Sequence, residues 1–410
     1  MQAQTTRWRY AMNVSRVGAL IFTGACAACA ETSRSGLVAL GSSTVFDTVV
    51  MACRDDAGAL HEPDMSAVTI DTAGAIVVLN ASGGNIVRLS EGARCTSQGR
   101  RGRGPGELNA PVGVVTLNDN RAAVLDFGQG GVVVFPSDNS PSEIIKFGGI
   151  GEPSSSDALW FAGGLFWSKK LSPIGVIGSD LRSAKRRERF VGYSLQGALQ
   201  SDFVPALKLD GECDRSSVYY AGISSRFAAS LRFVFRPDGM LVGGCTQSDS
   251  LWIFDGRNPG DARLLTVLPF ARVPISSEIR AILANEAFER FRKDVPTLTP
   301  STVDVPARIP SWRSLAPLDR DRLAVLMIDS ITLKDATDRE EGESAALPWY
   351  SLAVVTPASD TVTYVALPRI DLTSATMVSR ESTVLLQISL ASGEDALLRV
   401  RIGARPRGSK

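Results

Sequence analysis

One pattern constrains this sequence more than any other: a short apolar run, a tight turn rich in Asp, Asn, Gly or Arg, and then an apolar, β-branched run. It occurs at Val68–Leu79, Val114–Leu125, Leu159–Trp167, Leu231–Val242, Ser314–Leu326 and Ala375–Leu386. Such residues tolerate tight-turn dihedrals and the flanks suit pleated strands, so each copy predicts a β-hairpin. A second hairpin follows each first one, opening at Ile86–Leu89, Val132–Phe135, Phe190–Leu195, Leu251–Phe254, Tyr350–Val355 and Leu397–Arg401. Fourth strands follow, as at Arg263–Leu268 and Thr361–Leu367. Four antiparallel strands per unit, repeated radially, predict an all-β fold, a six-bladed β-propeller over 44–402. A single unit cannot bury its own faces, so neighbours must stack and the ring must close.

The last unit stops one strand short, because only the polar tail 403–410 remains, while Thr44–Met51 is a strand-like run without a partner of its own. Inserted as the fourth strand of the last blade, that run would latch the ring and cover its edge. The first blade-to-blade linker is Gly99–Leu108, Gly-Arg-Arg-Gly-Arg-Gly-Pro-Gly-Glu-Leu, with a degenerate echo at Phe147–Pro153. Two insertions stretch the spacing. One is polar and basic (Ser179–Arg189, then Leu209–Ser225) and includes the charged run Lys185–Arg189, read as a solvated loop. The other, 276–294 between the fourth and fifth units, predicts a helix. Ser276 caps it, Glu278 lies in its first turn, and Ile279, Ile282, Leu283, Ala287 and Phe291 share a face. Glu286–Arg290 and Glu289–Lys293 are candidate i,i+4 pairs, and Pro296 ends the pattern.

The N-terminus reads as a leader covering 1–30. Arg7, Arg9 and Arg16 precede the apolar run Val17–Ala25, which is too short to span a bilayer. Thr23-Gly-Ala-Cys26 resembles a lipobox, which implies lipidation at Cys26; Cys29, or simple cleavage before Glu31, are the alternatives. Export would leave Cys53, Cys95, Cys213 and Cys245 in an oxidising compartment. Pairing of sequence neighbours, Cys53–Cys95 and Cys213–Cys245, is the expectation, with buried free thiols as the alternative. Zinc is poorly supported, since no two of these four form a C-x2-C and His61 is the only histidine.

The linker Gly102–Leu108, the hairpin repeats and the lipobox together resemble a family of exported bacterial six-bladed β-propellers related to the NHL-repeat group. The resemblance spans about Thr44 to Ile402. It implies a fold and an envelope location, and it carries over no catalytic residues. The third unit departs from the pattern in lacking an Asp-x-x-Gly turn.

Chemistry is sparse. Gly99–Gly106 is not a phosphate cradle, because a β-type run and not a helix follows it; it reads as a tight turn needing positive φ. Arg100, Arg101 and Arg103 form a possible ligand patch. His61 reads as a loop residue between the latch and the first blade, and Asp126 and Asp255 as strand-end turn formers. No catalytic residues, metal site or cofactor are expected. With a net charge of +1 and interspersed Asp, Glu and Arg, no pull toward nucleic acid is expected either. The function expected is a binding module for a protein or glycan in the cell envelope, tied to the membrane by a lipid anchor. The rival is a channel-mouth metal-dependent hydrolase or lactonase.

Overall fold

The computed structural model describes residues 44–50, 53–54, 60–61, 65–90, 95–117, 119–138, 140–146, 165–167, 174–179, 188–193 and 199–203, and, with interruptions, 231–403. All belong to the unit Gly36–Lys410. The expected leader with Cys26 and Cys29, the echo Phe147–Pro153, the insertion Leu209–Ser225 with Cys213, and Asp255 lie outside the described residues.

Period-2 alternation and short turns produce four-stranded antiparallel sheets, written here with strands a to d from the inside outward. The first has Met65–Ile70, Ile76–Asn80, Asn85–Leu89 and Cys95–Gln98, and the second has Pro111–Thr116, Ala122–Asp126, Gly131–Phe135 and Glu143–Lys146. A third pairs Leu165–Trp167, Ile174–Ser179, Glu188–Tyr193 and Leu199–Phe203. Then come Leu231–Phe235, Leu241–Cys245, Ser250–Phe254 and Arg263–Val267, followed by Trp312–Pro317, Leu323–Leu333, Ala346–Thr356 and Thr361–Ala366. The last sheet holds Met377–Arg380, Thr383–Ser389 and Asp395–Arg401 with Val45–Val50 at its outer edge. Each a strand lies beside the a strand of the next sheet, and Met377–Arg380 lies beside Met65–Ile70. The architecture is an all-β propeller.

The alternation decides which neighbour each side chain meets. Ile76 and Val78 pack with Leu385 and Leu397 of the last sheet, whereas Val77 and Leu79 pack with Val124 and Val133 of the second. Likewise Val325 joins Val242 and Leu251 of the fourth sheet, while Ala324 and Leu326 join Leu386 and Leu398 of the last. Each fully buried Val, Leu or Ile is worth roughly 1.5–3 kcal/mol, so stacking between sheets is the main source of stability. These clusters involve five sheets; for Leu165–Phe203 the backbone pairing alone is described. Among the described residues, packed side chains define five blades, against the six expected from the repeats.

Val45–Val50 runs antiparallel to Asp395–Arg401, from Val45 opposite Arg401 to Val50 opposite Ala396. Asp47 faces Arg399 across this ladder; the Arg399 Nε–H is shared between its two carboxylate oxygens, at 2.9 and 3.0 Å, and the guanidinium terminus donates to it as well. Those bonds first, and the cationic charge with them, hold Asp47 below the usual carboxylate range against the opposing effect of burial.

Two expectations need correction. Leu165–Trp167, expected as the second half of a hairpin over Leu159–Trp167, is the first strand of its sheet and pairs with Ile174–Ser179, while 159–164 lie outside the described residues. His61 is not in a loop; it lies in the short strand Leu60–His61, opposite Cys53. In helix α1 (Ser277–Phe291), Ser276 Oγ accepts from the Ile279 amide at 3.2 Å as expected, and Glu289 pairs with Arg292 at 3.2 Å, while Lys293 lies outside the described residues.

Candidate functional site

Strand alternation gives the ring two unlike ends. The b–c turns and the d-to-a crossings fall at one end of the inner strands, and the a–b turns fall at the other. At the a–b end the described turns are short and serve as fasteners. Asp71 takes the Ala73 and Ala75 amides, each at 2.9 Å, and Arg88 Nη1 at 3.0 Å. Arg88 Nη2 then reaches the Asn120 carbonyl of the second sheet at 2.6 Å, and the Thr72 amide donates to Asn120 Oδ1 at 2.8 Å. Arg88 is buried, and desolvation lowers its pKa while Asp71 opposes the shift. Arg322 repeats the device between the last two sheets, donating to Asp319 at 2.6 Å, Ser382 Oγ at 3.2 Å and the Gly403 carbonyl at 3.4 Å.

Elaboration is concentrated at the opposite end. Strands Leu323–Leu333 and Ala346–Thr356 are 11 residues each, more than twice the five of the b and c strands in the first sheet. Their outer halves stay paired from Ser330 opposite Trp349 to Leu333 opposite Ala346, so a ribbon projects past the sheet. At its base Asp329 accepts from Ser351 Oγ at 2.7 Å; desolvation of that carboxyl raises its pKa against this hydrogen bond. Helix α1, in the crossing that follows the fourth sheet, buries Ile279 and Leu283 in one cluster with Ile309, Ile328 and Tyr350. Ile331 and Phe288 pack on its edge.

The third elaboration is the Gly99–Leu108 crossing. Gly99 and Gly106 have φ of 90° and 76°, which meets the expectation of a turn needing positive φ. Arg100–Arg101 pairs in parallel with Glu107–Leu108, and the Gly102 amide donates to the Leu108 carbonyl at 3.0 Å. Glu107 is the organiser. Its Oε2 accepts from the Gly104 amide at 2.7 Å, its Oε1 from Arg100 Nε at 2.8 Å, and its own amide donates to the Gly104 carbonyl at 3.0 Å. The Gly104 amide first, then Arg100, hold its carboxyl below the usual range. A methyl group on Gly102 would lie 2.0 Å from Glu107 Oε2, which explains the glycine there.

The loop is seated on its neighbours. The Arg101 backbone rests on Gly84 of the first sheet's b–c turn, where a Cβ would come within 2.6 Å of it. Gln98 Nε2 donates to the Asp138 carbonyl of the second sheet at 2.9 Å. Asp126 is fully buried and accepts from the amides of Asn109 (2.7 Å), Ala110 (3.0 Å) and Gln129 (3.0 Å), which ties the end of the crossing to the second sheet's b–c turn. Asp126 is thus a turn former, as its strand-end position predicted.

The structure brings Arg100, Arg101 and Arg103 onto one loop but divides their roles. Arg100 is committed to Glu107, with 2.7 Å between Nη2 and Oε1, whereas Arg101 and Arg103 are exposed. Four residues past Leu108, Val112 occupies a bulge at the entrance of its inner strand and is 40% exposed. The organising role of Glu107 had only one sequence signal, an acidic residue inside an Arg- and Gly-rich stretch. Buried Arg88 and Arg313 had none. Among the described residues no group of three or more His, Cys, Asp or Glu could hold a metal ion, and no helix is long and apolar enough to cross a membrane. Cys95 and Cys245 are both buried.

No protein-family profile and no curated protein sequence matches the chain. Among solved structures, a member of the DUF4221 family from Bacteroides vulgatus has a TM-score of 0.53 at 11% identity, over 89% of this chain and 97% of that one. It is similar in fold. A protein from Bacteroides fragilis whose name marks it as exported has a TM-score of 0.48 at 9% identity, over 90% and 97% of the two chains. Virginiamycin B lyase from Staphylococcus aureus has a TM-score of 0.43 at 8% identity, over 90% and 94%.

Proposed function

We propose that this chain is an exported binding module, a six-bladed propeller that holds a protein or glycan of the cell envelope at the end of the ring carrying the b–c turns. The observation that carries this reading is the asymmetry of the two ends. One carries short, mutually fastened turns; the other carries the Gly99–Leu108 loop, α1 and the ribbon Ser330–Leu333/Ala346–Trp349. Loops held on a rigid scaffold are where recognition concentrates.

The six-blade count rests on the sheet of Leu165–Phe203 taking its place in the ring of inner strands, and Val45–Val50 then acts as the latch. A Cys53–Cys95 disulfide would tie the latch to the first sheet, since Cys53 follows the latch by three residues and Cys95 is buried in the cluster against which Val49 packs. Cys213–Cys245 is the remaining pair. Closing a loop as long as Cys53–Cys95 is worth about 4 kcal/mol in the chain-entropy model. The leader supports export, with the lipid placed on Cys26 and membrane contact made through it.

The test is site-specific photo-crosslinking in the source cells, with the reactive side chain at Pro105 or at Ala73, which are exposed on opposite ends. A discrete adduct from Pro105 and none from Ala73 is expected. Adducts from neither position, or from Ala73 alone, would overturn the reading.

A further inference from the structure

We propose that Arg101, Arg103 and Val112 form a docking surface for an acidic, extended peptide segment; the inference rests on the binding-module reading above and specifies the chemistry of its partner. Arg100, Arg101 and Arg103 place three positive charges in the loop, and Glu107 removes one by engaging Arg100 on its own carboxylate. Arg101 and Arg103 remain exposed on a backbone that is already fixed. The parallel pairing to Glu107–Leu108, the Gly102 and Gly104 amides, the contact with Gly84 and the Asp126 tie all restrain it. A ligand therefore meets a backbone that needs no ordering, and only the two arginine side chains lose freedom on binding.

The spacing selects the ligand. Cα atoms two residues apart are separated by at most about 7 Å, and side chains at alternate positions of an extended strand stand on one face at about the same interval. Carboxylates at alternate positions of an extended segment thus match the two guanidinium groups, each able to take a carboxylate in a two-pronged hydrogen bond. Val112, one of the exposed large apolar side chains of the described residues, stands at the mouth of the inner strand that this loop leads into. Leu108, four residues before it, is paired to Arg101 itself. An apolar residue flanking the acidic pair would cover Val112.

The experiment is fluorescence anisotropy on the full folded protein with a labelled peptide of alternating glutamate and valine, against a glutamine–valine control of the same length. Expected is saturable binding of the glutamate peptide alone, weakening several-fold between 50 and 200 mM salt and about tenfold in Arg101→Ala/Arg103→Ala. Arg320→Ala, an exposed arginine at the other end of the ring, should leave the affinity unchanged. The melting temperature of each variant, unchanged from the parent, keeps the result separate from folding. Equal binding of the glutamine peptide, no binding of either, or an affinity indifferent to the double substitution would overturn the proposal. So would a polyphosphate probe that displaces the peptide at far lower concentration. Failure here alongside a Pro105 adduct in cells would remove the acidic-peptide chemistry and leave the binding end standing.

Discussion

Replacing Asp126 tests the reasoning about the loop most severely, because its carboxylate is fully buried and answers three backbone donors. In Asp126→Asn only one oxygen remains. Kept toward Ala110 and Gln129, it preserves two bonds, and the new amide group then confronts the Asn109 N–H from the place where a carboxylate oxygen accepts at 2.7 Å. Losing a charge-assisted bond costs about 1.5–3 kcal/mol, and the two survivors fall to neutral strength. The expected loss is about 3 kcal/mol for asparagine and about 4–5 kcal/mol for alanine, which leaves all three donors without the side chain. With an unfolding entropy of about 2.1 cal/mol/K per residue, 3 kcal/mol lowers the midpoint of a chain this size by about 4 °C. Chemical denaturation measures the loss, and hydrogen exchange at the Asn109, Ala110 and Gln129 amides locates it. An asparagine variant within about 0.5 kcal/mol of the parent, or an alanine variant no worse than asparagine, would refute the argument.

Asp47 titrates below the usual carboxylate range, so its pairing with Arg399 stabilises fully above the unfolded-state pKa and is lost as pH falls through the depressed folded value. An acid-unfolding series should therefore show Asp47→Asn losing up to about 1 kcal/mol at neutral pH and converging on the parent in acid; curves that stay parallel would count against it. Trp312 is fully buried and its Nε1 donates to the Ser248 carbonyl at 2.8 Å, joining the fifth sheet to the turn of the fourth. Trp312→Phe removes both the N–H donor and part of the buried indole volume and should cost about 2–4 kcal/mol in urea denaturation; a loss under about 1 kcal/mol would show that the bond is idle. Gly84→Ala sets a side chain against the Arg101 backbone at a φ of 68°, and should weaken peptide binding at Arg101 more than it lowers the melting temperature. An unchanged affinity would show that this contact does not position the loop.

The sequence by itself determined the local pieces. Alternating apolar residues around Asp71–Gly74 or Asp119–Arg121 encode a hairpin, because turn dihedrals and two-residue periodicity depend only on neighbours in the chain. The same holds for the Ser276 cap and for the positive φ of Gly99 and Gly106. Where the local signal was degenerate, at Leu159–Trp167, the reading slipped, since Gly and aromatic residues imitate a turn and its flanks equally well. The ribbon beyond Asp329 was invisible because it is made by pairing of two segments across the hairpin, which no local pattern announces. Only the tertiary structure decided which charges are spent and which are free. Arg100 and Arg103 are alike in sequence, yet Glu107 folds back onto one of them, and Arg88 is buried because Asp71 and a carbonyl of the next sheet meet it there. Those outcomes depend on groups brought together across turns and between sheets, and the geometry that joins them exists only once the sheets have stacked.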